Sequence, residues 1–251
     1  MSGHSKWSSI KHKKAATDAK RGQLFTKLAR EITIAARGNP DPISNAGLRL
    51  AIQRARDGNV PGSNIERAVQ RAAGGGDADR LEEVVYEGYG PGGTAVIVEV
   101  VTDNRNRTVA DLRLAFSRAG GNLAENGAVA WQFDLRGIVT VDATEADPDG
   151  VQLAAIEAGA LDVDVSGDGN VVEVITEPAD TESVRAKLTA AGLTVERAEL
   201  SRIPQNVVPL DEKAAIAALK MLERLDDLDD VSRVYSNAEF PDAVLEAAAS
   251  A

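Results

Sequence analysis

The sequence predicts an α+β protein in which an N-terminal three-helix domain is followed by two α+β domains, the last inserted into the middle one. Three observations predict this. Apolar residues recur at spacings of three and four as far as Gly74-Gly75-Gly76, and beyond that point the period changes to the alternation of strands. Residues 137–200 then spell strand, helix, strand, strand, helix, strand. Finally, a helix and a strand near the C-terminus have no partners of their own, and a sheet begun upstream can absorb them. The boundaries drawn on this basis are 1–76, a discontinuous 77–134 plus 206–251, and 135–205.

The helices come first. From Asp18 to Arg37, Leu24, Leu28, Ile32 and Ala35 recur at four and three, and Gly38 and Pro40 stop the run. A second helix spans about Ser44 to Asp57 with Leu48, Ala51, Ile52 and Ala55 inward. Ser63-Asn64-Ile65-Glu66 reads as a capping box that opens the third. Strands follow at Val84–Tyr89 and Thr94–Thr102, joined as a hairpin by Gly90-Pro91-Gly92-Gly93, then a helix from about Arg107 to Ala119 and a strand near Ala128–Phe133. The inserted unit takes strands at Ile138–Val141, Leu161–Val165, Val171–Ile175 and Thr194–Leu200, with helices at Gly150–Ala158 and Thr181–Ala191. That order is ferredoxin-like. The leftover elements are a helix over Glu212–Leu225 and a strand near Val231–Tyr235.

Charge divides the chain as sharply as period does. Residues 1–73 hold fourteen Lys+Arg against five Asp+Glu, a balance of +9, in a protein whose formal net charge is −11. Positive charge concentrated at one end of an acidic protein is the footprint of a local nucleic-acid grip. The first seventeen residues contain His4, Lys6, Trp7, Ile10, Lys11, His12, Lys13 and Lys14. A solubilising tail has no use for Trp7 and Ile10, whereas a recognition arm can stack or wedge them against bases. Lys20, Lys27, Arg30 and Arg37 fall on one side of the first helix, and Arg49, Gln53 and Arg56 align on the second. With Arg21, Arg67 and Arg71 they complete the candidate basic surface. Asn104-Arg105-Asn106-Arg107-Thr108 joins a strand to a helix start, where Arg105 and Arg107 either close on a phosphate or belong to a loop that caps the helix.

Other chemistry finds little support. Gly88, Gly90 and Gly93 satisfy a dinucleotide fingerprint, but strand rather than helix follows them. Asp162, Asp164, Ser166, Asp168 and Glu173 approach the spacing of a calcium loop, yet β-branched runs flank them and a hairpin turn accounts for the pattern. Asp226, Asp227, Asp229 and Asp230 read as a solvated helix end rather than a metal site. Both histidines lie in the arm, which argues against a catalytic triad, and zero cysteines exclude disulfides and thiolate sites. No cofactor and no small-molecule substrate are expected. No run approaches the ~18–20 apolar residues of a membrane span, and the polar, basic N-terminus has no signal region, so a cytoplasmic location without membrane contact is expected.

Taken together, several stretches closely resemble the YebC/PmpR family. They are Gly3-His4-Ser5-Lys6-Trp7 with Ile10-Lys11-His12-Lys13, Asn64-Ile65-Glu66-Arg67-Ala68, Tyr86-Glu87-Gly88-Tyr89-Gly90-Pro91-Gly92-Gly93, Thr102 to Thr108, Gly120-Gly121-Asn122-Leu123 and Ile203-Pro204-Gln205-Asn206. Gly58 and Gly62-Ser63 depart from it, standing where the family more often has alanine and a charged pair. The resemblance implies a helical domain, two α+β domains and a protein without catalytic activity. It also implies a regulator of transcription on DNA or of translation at the ribosome, whose eukaryotic relatives include a mitochondrial translational activator. The flexible arm favours folded RNA slightly over duplex DNA. A protein-binding adaptor that works through the acidic domains is the other reading.

Overall fold

A computed structural model describes residues 18–73, 80–167 and 169–249. It divides into two compact units, one of residues 134–203 and one formed by the chain on either side of them.

In the larger unit, helices α1 (Asp18–Ala35), α2 (Ala46–Asp57) and α3 (Gly62–Ala73) form a bundle. Leu28, Ile32, Leu48, Ala55, Ile65 and Ala68 are buried in its centre, the positions that the three-and-four spacing puts on inward faces. Asn45 ties two helices together. Its side-chain oxygen accepts from Leu48 N at 3.0 Å as the α2 N-cap, and its amide donates to Ala35 O at the end of α1 at 2.7 Å. The capping box at Ser63 is not formed. α3 starts two residues earlier than that cap requires, behind Pro61, whose carbonyl accepts from Asn64 N and Ile65 N, so Ser63 already lies inside the first turn. Gly58 fits a tight corner between α2 and α3, because a Cβ there would stand 2.8 Å from Leu28 Cδ1.

The same unit contains an antiparallel sheet of β1 (Glu82–Tyr89), β2 (Ala95–Thr102), β3 (Asn122–Ala124) and β9 (Val231–Ser236), in the order β3-β1-β2-β9. Period-two alternation gives β2 two apolar faces. Val96, Val98 and Val100 meet α4 (Arg105–Arg118) and α7 (Glu212–Asp226) through Leu112, Phe116, Met221, Leu222 and Leu225. Ala95 and Ile97 face the other way, with Tyr235, Val129 and Phe133. β9 therefore returns from beyond the inserted unit to complete a sheet that opens with β1 at Glu82. A parallel pair of short strands, β8 (Val208–Pro209) and β10 (Ala238–Glu239), and helix α8 (Asp242–Ala249) follow at the margin.

The glycine motifs serve this packing. The fingerprint-like stretch is the β1–β2 turn, closed by Gly90 N to Thr94 O at 2.8 Å, with Gly92 and Gly93 at φ of 71° and 75°. A Cβ at Gly121 would strike the Tyr89 carbonyl oxygen, and one at Gly88 the Phe116 ring. Both glycines let β3 close on β1.

Residues 128–133 differ from the strand that their alternation predicts. The pairing edge beside β1 is taken by Asn122–Ala124, and Ala130–Gln132 form a helical turn instead. The reason is Glu87, a buried carboxylate on β1. It accepts from Gly127 N at 2.7 Å, Val129 N at 2.7 Å and Ala130 N at 2.8 Å, and so uses the amides that a ladder would need.

In the inserted unit, β4 (Phe133–Asp142), α5 (Pro148–Ala158), β5 (Asp162–Val165), β6 (Val171–Thr176), α6 (Thr181–Ala190) and β7 (Thr194–Pro204) give the sheet order β5-β6-β4-β7 over a core of Val139, Val141, Val151, Val172, Val174, Val184 and Leu188. This is the ferredoxin-like βαββαβ arrangement. The calcium-like spacing lies on the β5–β6 hairpin, where Ser166 N donates to Val171 O and Val171 N donates to Ser166 Oγ.

Replacing Glu87 by Gln puts an amide NH2 among three backbone donors. The variant is expected to lose about 2–4 kcal/mol of stability, read as a lower urea midpoint. An unchanged midpoint would show that the carboxylate does not hold the turn.

Candidate nucleic-acid interface

The basic side of α1 is formed as its spacing predicts, but Lys20, Lys27 and Arg30 are met by acidic partners, with Lys27 buried and Lys20 half exposed. It meets the acidic run at the C-terminal end of α7. Lys20 lies 3.7 Å from Asp227 Oδ1, Gln23 donates to Asp227 O and Asp229 Oδ1, and buried Lys27 donates to Asp226 O. Arg30 donates to Asp229 O at 2.9 Å and Asp230 Oδ1 at 3.2 Å. The spacing 20, 23, 27, 30 places all four on one stripe. The last carbonyls of α7 carry the negative end of its dipole, so Lys27 and Gln23 satisfy acceptors that the helix leaves open. Asp226 to Asp230 are accordingly a docking corner, not a solvated helix end.

Asp230 is the buried member of that corner. Its carboxylate accepts from Thr102 Oγ1 at 3.1 Å, Thr108 Oγ1 at 2.8 Å and Arg107 at 2.8 Å, besides Arg30. Burial alone raises its pKa, but the hydrogen bonds from Arg107 and Thr108, the Arg107 charge and the Thr102 bond outweigh this and hold it below the ordinary value of 3.8. Arg107, bonded to Asp230 and to Asp103 at 2.9 Å, has its own pKa raised by those bonds. Arg105 pairs with Glu82. Asn104 caps α4, accepting from Arg107 N at 3.1 Å. Of the two readings open for residues 104–108, the capping loop is the one seen, and both arginines have carboxylate partners rather than an open anion site.

What remains facing outward lies on α2 and α3. Arg49 is exposed and donates to Pro42 O and Ile43 O, which bends it back along its own corner. Arg54 is turned inward onto Glu31 in a bidentate pair at 2.7 and 2.9 Å. Arg56, Arg67 and Arg71 are exposed with no partner among the described residues, and Arg67 and Arg71 stand one turn apart on α3. Arg21 is exposed near the start of α1. His4, Lys6, Trp7, Lys11, His12, Lys13 and Lys14 lie outside the described residues.

Sequence reasoning missed the acidic corner as the receptor for α1. A signal existed: a stripe of Lys, Gln, Lys and Arg at one end of the chain and four aspartates within five residues at the other. It also missed Trp131, which is 67% exposed on the turn that Glu87 holds. Among the described residues, no group of three or more His, Cys, Asp or Glu side chains is placed to hold a metal ion, and no helix is long and apolar enough to cross a membrane.

Comparison with known proteins agrees with this architecture. Residues 5–75 match the TACO1/YebC N-terminal domain, and residues 81–238 match the TACO1/YebC second and third domain. A probable transcriptional regulatory protein of Dehalococcoides mccartyi is 51% identical over 98% of both chains, and one of Hahella chejuensis is 53% identical over the same share. The crystal structure of a conserved hypothetical protein from Aquifex aeolicus, 42% identical, superposes with a TM-score of 0.83 over 90% of this chain and 93% of that one. The chain belongs to the TACO1/YebC family.

The depressed pKa of Asp230 sets a pH dependence. A carboxylate whose folded pKa lies below its unfolded value contributes stability in full above about pH 4 and loses it as pH falls through the lowered folded value. Asp230→Asn is expected to lose about 2–4 kcal/mol at pH 7 by leaving Arg107 without its buried partner. Its stability should also fall less steeply than the wild type's below pH 4, as followed by urea midpoints. Parallel acid limbs would contradict the assignment.

Proposed function

We propose that this chain is a non-enzymatic regulator of gene expression that grips nucleic acid through its N-terminal basic segment and the outer arginines of α2 and α3. The observation that carries the reading is the set Arg56, Arg67 and Arg71, exposed and without partners among the described residues, on the part of the chain that holds the +9 balance. Unpaired guanidinium groups on a folded surface are ready to meet phosphates, and each neutralised phosphate releases counterions. Lys6, Lys11, Lys13 and Lys14 add four charges next to α1, and Trp7 adds a stacking surface. The names of the relatives, probable transcriptional regulatory proteins, support a regulator of gene expression.

Folded RNA, as on the ribosome, suits the surface somewhat better than duplex DNA. The α2–α3 connection, residues 58–61, has a length that helix-turn-helix proteins use, but those proteins read bases from the first turn of the second helix. Here that turn offers Gly62, Ser63, Asn64 and Ile65, and the arginines come later. An adaptor reading is favoured by a different observation. Residues 134–203 hold fifteen Asp+Glu against five Lys+Arg, and Leu153 and Ile156 are exposed on α5.

The test is equilibrium binding of the full chain, and of a chain lacking residues 1–17, to a structured RNA and to duplex DNA across a salt series. RNA affinity should fall steeply with salt, and the truncated chain should bind more weakly with a slope smaller by about 3, at ~0.7–0.9 per lysine lost. Absence of binding to either polymer would overturn the proposal and leave the adaptor. Tighter, sequence-selective duplex binding would assign the surface to DNA.

A further inference from the structure

We propose that Trp131 and the adjoining Gln205-Asn206 segment form a stacking site for an unpaired nucleobase of single-stranded RNA, separate from the arginines that meet phosphate. This rests on the nucleic-acid reading above and adds to it a second place of contact on the same unit.

Trp131 has the character of a binding residue rather than a core one. Its side chain is 67% exposed, although burying an indole would stabilise the fold. Its ring is nevertheless tethered, since Nε1 donates to Ala128 O at 3.2 Å and the Tyr89 hydroxyl donates to the same carbonyl at 3.2 Å. Beneath it, Glu87 grips the amides of residues 127, 129 and 130. Beside it, Gln205 N donates to Gln132 O at 2.8 Å, and Asn237 Nδ2 donates to Gln132 Oε1 at 3.3 Å. A buried carboxylate and two cross-chain bonds thus hold one short turn whose outward product is an aromatic plane. Pre-organisation of this kind lowers the ordering cost of binding.

The chemistry next to the ring selects the ligand. Residues 123–133 and 204–210 contain no Lys or Arg and one acidic residue, Glu125, so the place suits a neutral base rather than a phosphate. Asn206 is exposed, and a side-chain amide offers both donors and an acceptor to the edge of a stacked base. Phosphate neutralisation is available from the bundle, which packs against the same face of the sheet. Arg233 reaches Glu31 of α1 and Glu99 of β2, each at 3.7 Å, and Tyr235, two residues along β9 from Arg233, packs with Ile97 and Val129. The bundle that carries the arginines and the turn that carries Trp131 thus both meet this face of the sheet.

The experiment measures affinity of the full chain for an oligouridylate of about twelve nucleotides and for an abasic ribose-phosphate chain of equal length. Wild type, Trp131→Ala and Trp131→Phe are compared. The base-bearing strand should bind wild type about 5- to 100-fold more tightly than the abasic one. Trp131→Ala should lose most of that difference with its abasic affinity and thermal midpoint unchanged, and Trp131→Phe should keep most of it. If strands bind with steep salt dependence but Trp131→Ala matches wild type on both, this inference fails while the phosphate grip stands, and the exposed ring belongs to a protein contact. If neither strand binds at any salt while structured RNA does, this inference alone fails; if structured RNA and duplex DNA also fail to bind, both readings fail.

Discussion

The buried carboxylate of Asp230 is the interaction on which the larger unit depends. It stands between α7 and β9, where it receives the hydroxyls of Thr102 and Thr108 and the guanidinium groups of Arg107 and Arg30. Those donors come from the end of β2, the start of α4 and the middle of α1. One carboxylate thereby fixes the edge of the sheet, the entry of a helix and the docking of the bundle. A charge with so little exposure to water is tolerable because every direction around it supplies a donor, two of them cationic. Lys27 and Gln23 extend the same logic one turn back, by meeting the carbonyls that end α7.

This constraint decides which positive charges are available to a ligand. The basic segment has two sides. The α1 side is neutralised by the acidic corner, and the α2–α3 side is left open. For a protein of net charge −11, attraction of a polyanion requires positive charge gathered within about a Debye length, ~8 Å at physiological salt. With Lys20, Lys27 and Arg30 paired to the acidic corner, Arg56, Arg67 and Arg71 are the exposed cations of α2 and α3 without a partner among the described residues. The same docking brings α1 onto the sheet face where Ile97 and Tyr235 pack with Val129 of the Trp131 turn.

Much of the fold was legible in the sequence because it is governed by local period. The three-and-four spacing of Leu24, Leu28 and Ile32, and the switch to alternation at Val96–Val100, report burial directly. The unpartnered helix and strand near residues 212–235 were legible by elimination, and their return to β2 follows. Elements ruled by a distant side chain were not legible. Ala128 to Phe133 alternates like a strand, and only the Glu87 carboxylate, forty residues back, makes it a turn. The helix over Asp242–Ala249 went unread because its two large apolar residues, Val244 and Leu245, gain meaning only in the core they share with α7. The candidate site shows the same division. Helical register put Lys20, Lys27 and Arg30 on one stripe, but their partners lie about two hundred residues away, and spacing says nothing of what a stripe faces. Arg105 and Arg107 had the residue types of an anion grip and the partners of a helix start.

The proposed grip requires the basic segment to divide into an inner side that docks α1 and an outer side on α2 and α3 that meets nucleic acid. The most direct test pairs two variants of the full chain, Arg56→Ala/Arg67→Ala/Arg71→Ala and Lys20→Ala/Arg30→Ala, and measures RNA affinity and urea midpoint for both. The outer triple should weaken RNA binding at least tenfold and leave the midpoint within ~0.5 kcal/mol of wild type, as exposed, unpaired side chains do. The inner pair should lower the midpoint and, once folded, bind RNA as wild type does. An inner pair that abolishes binding without loss of stability, with an outer triple that binds normally, would contradict the division and place the grip on α1.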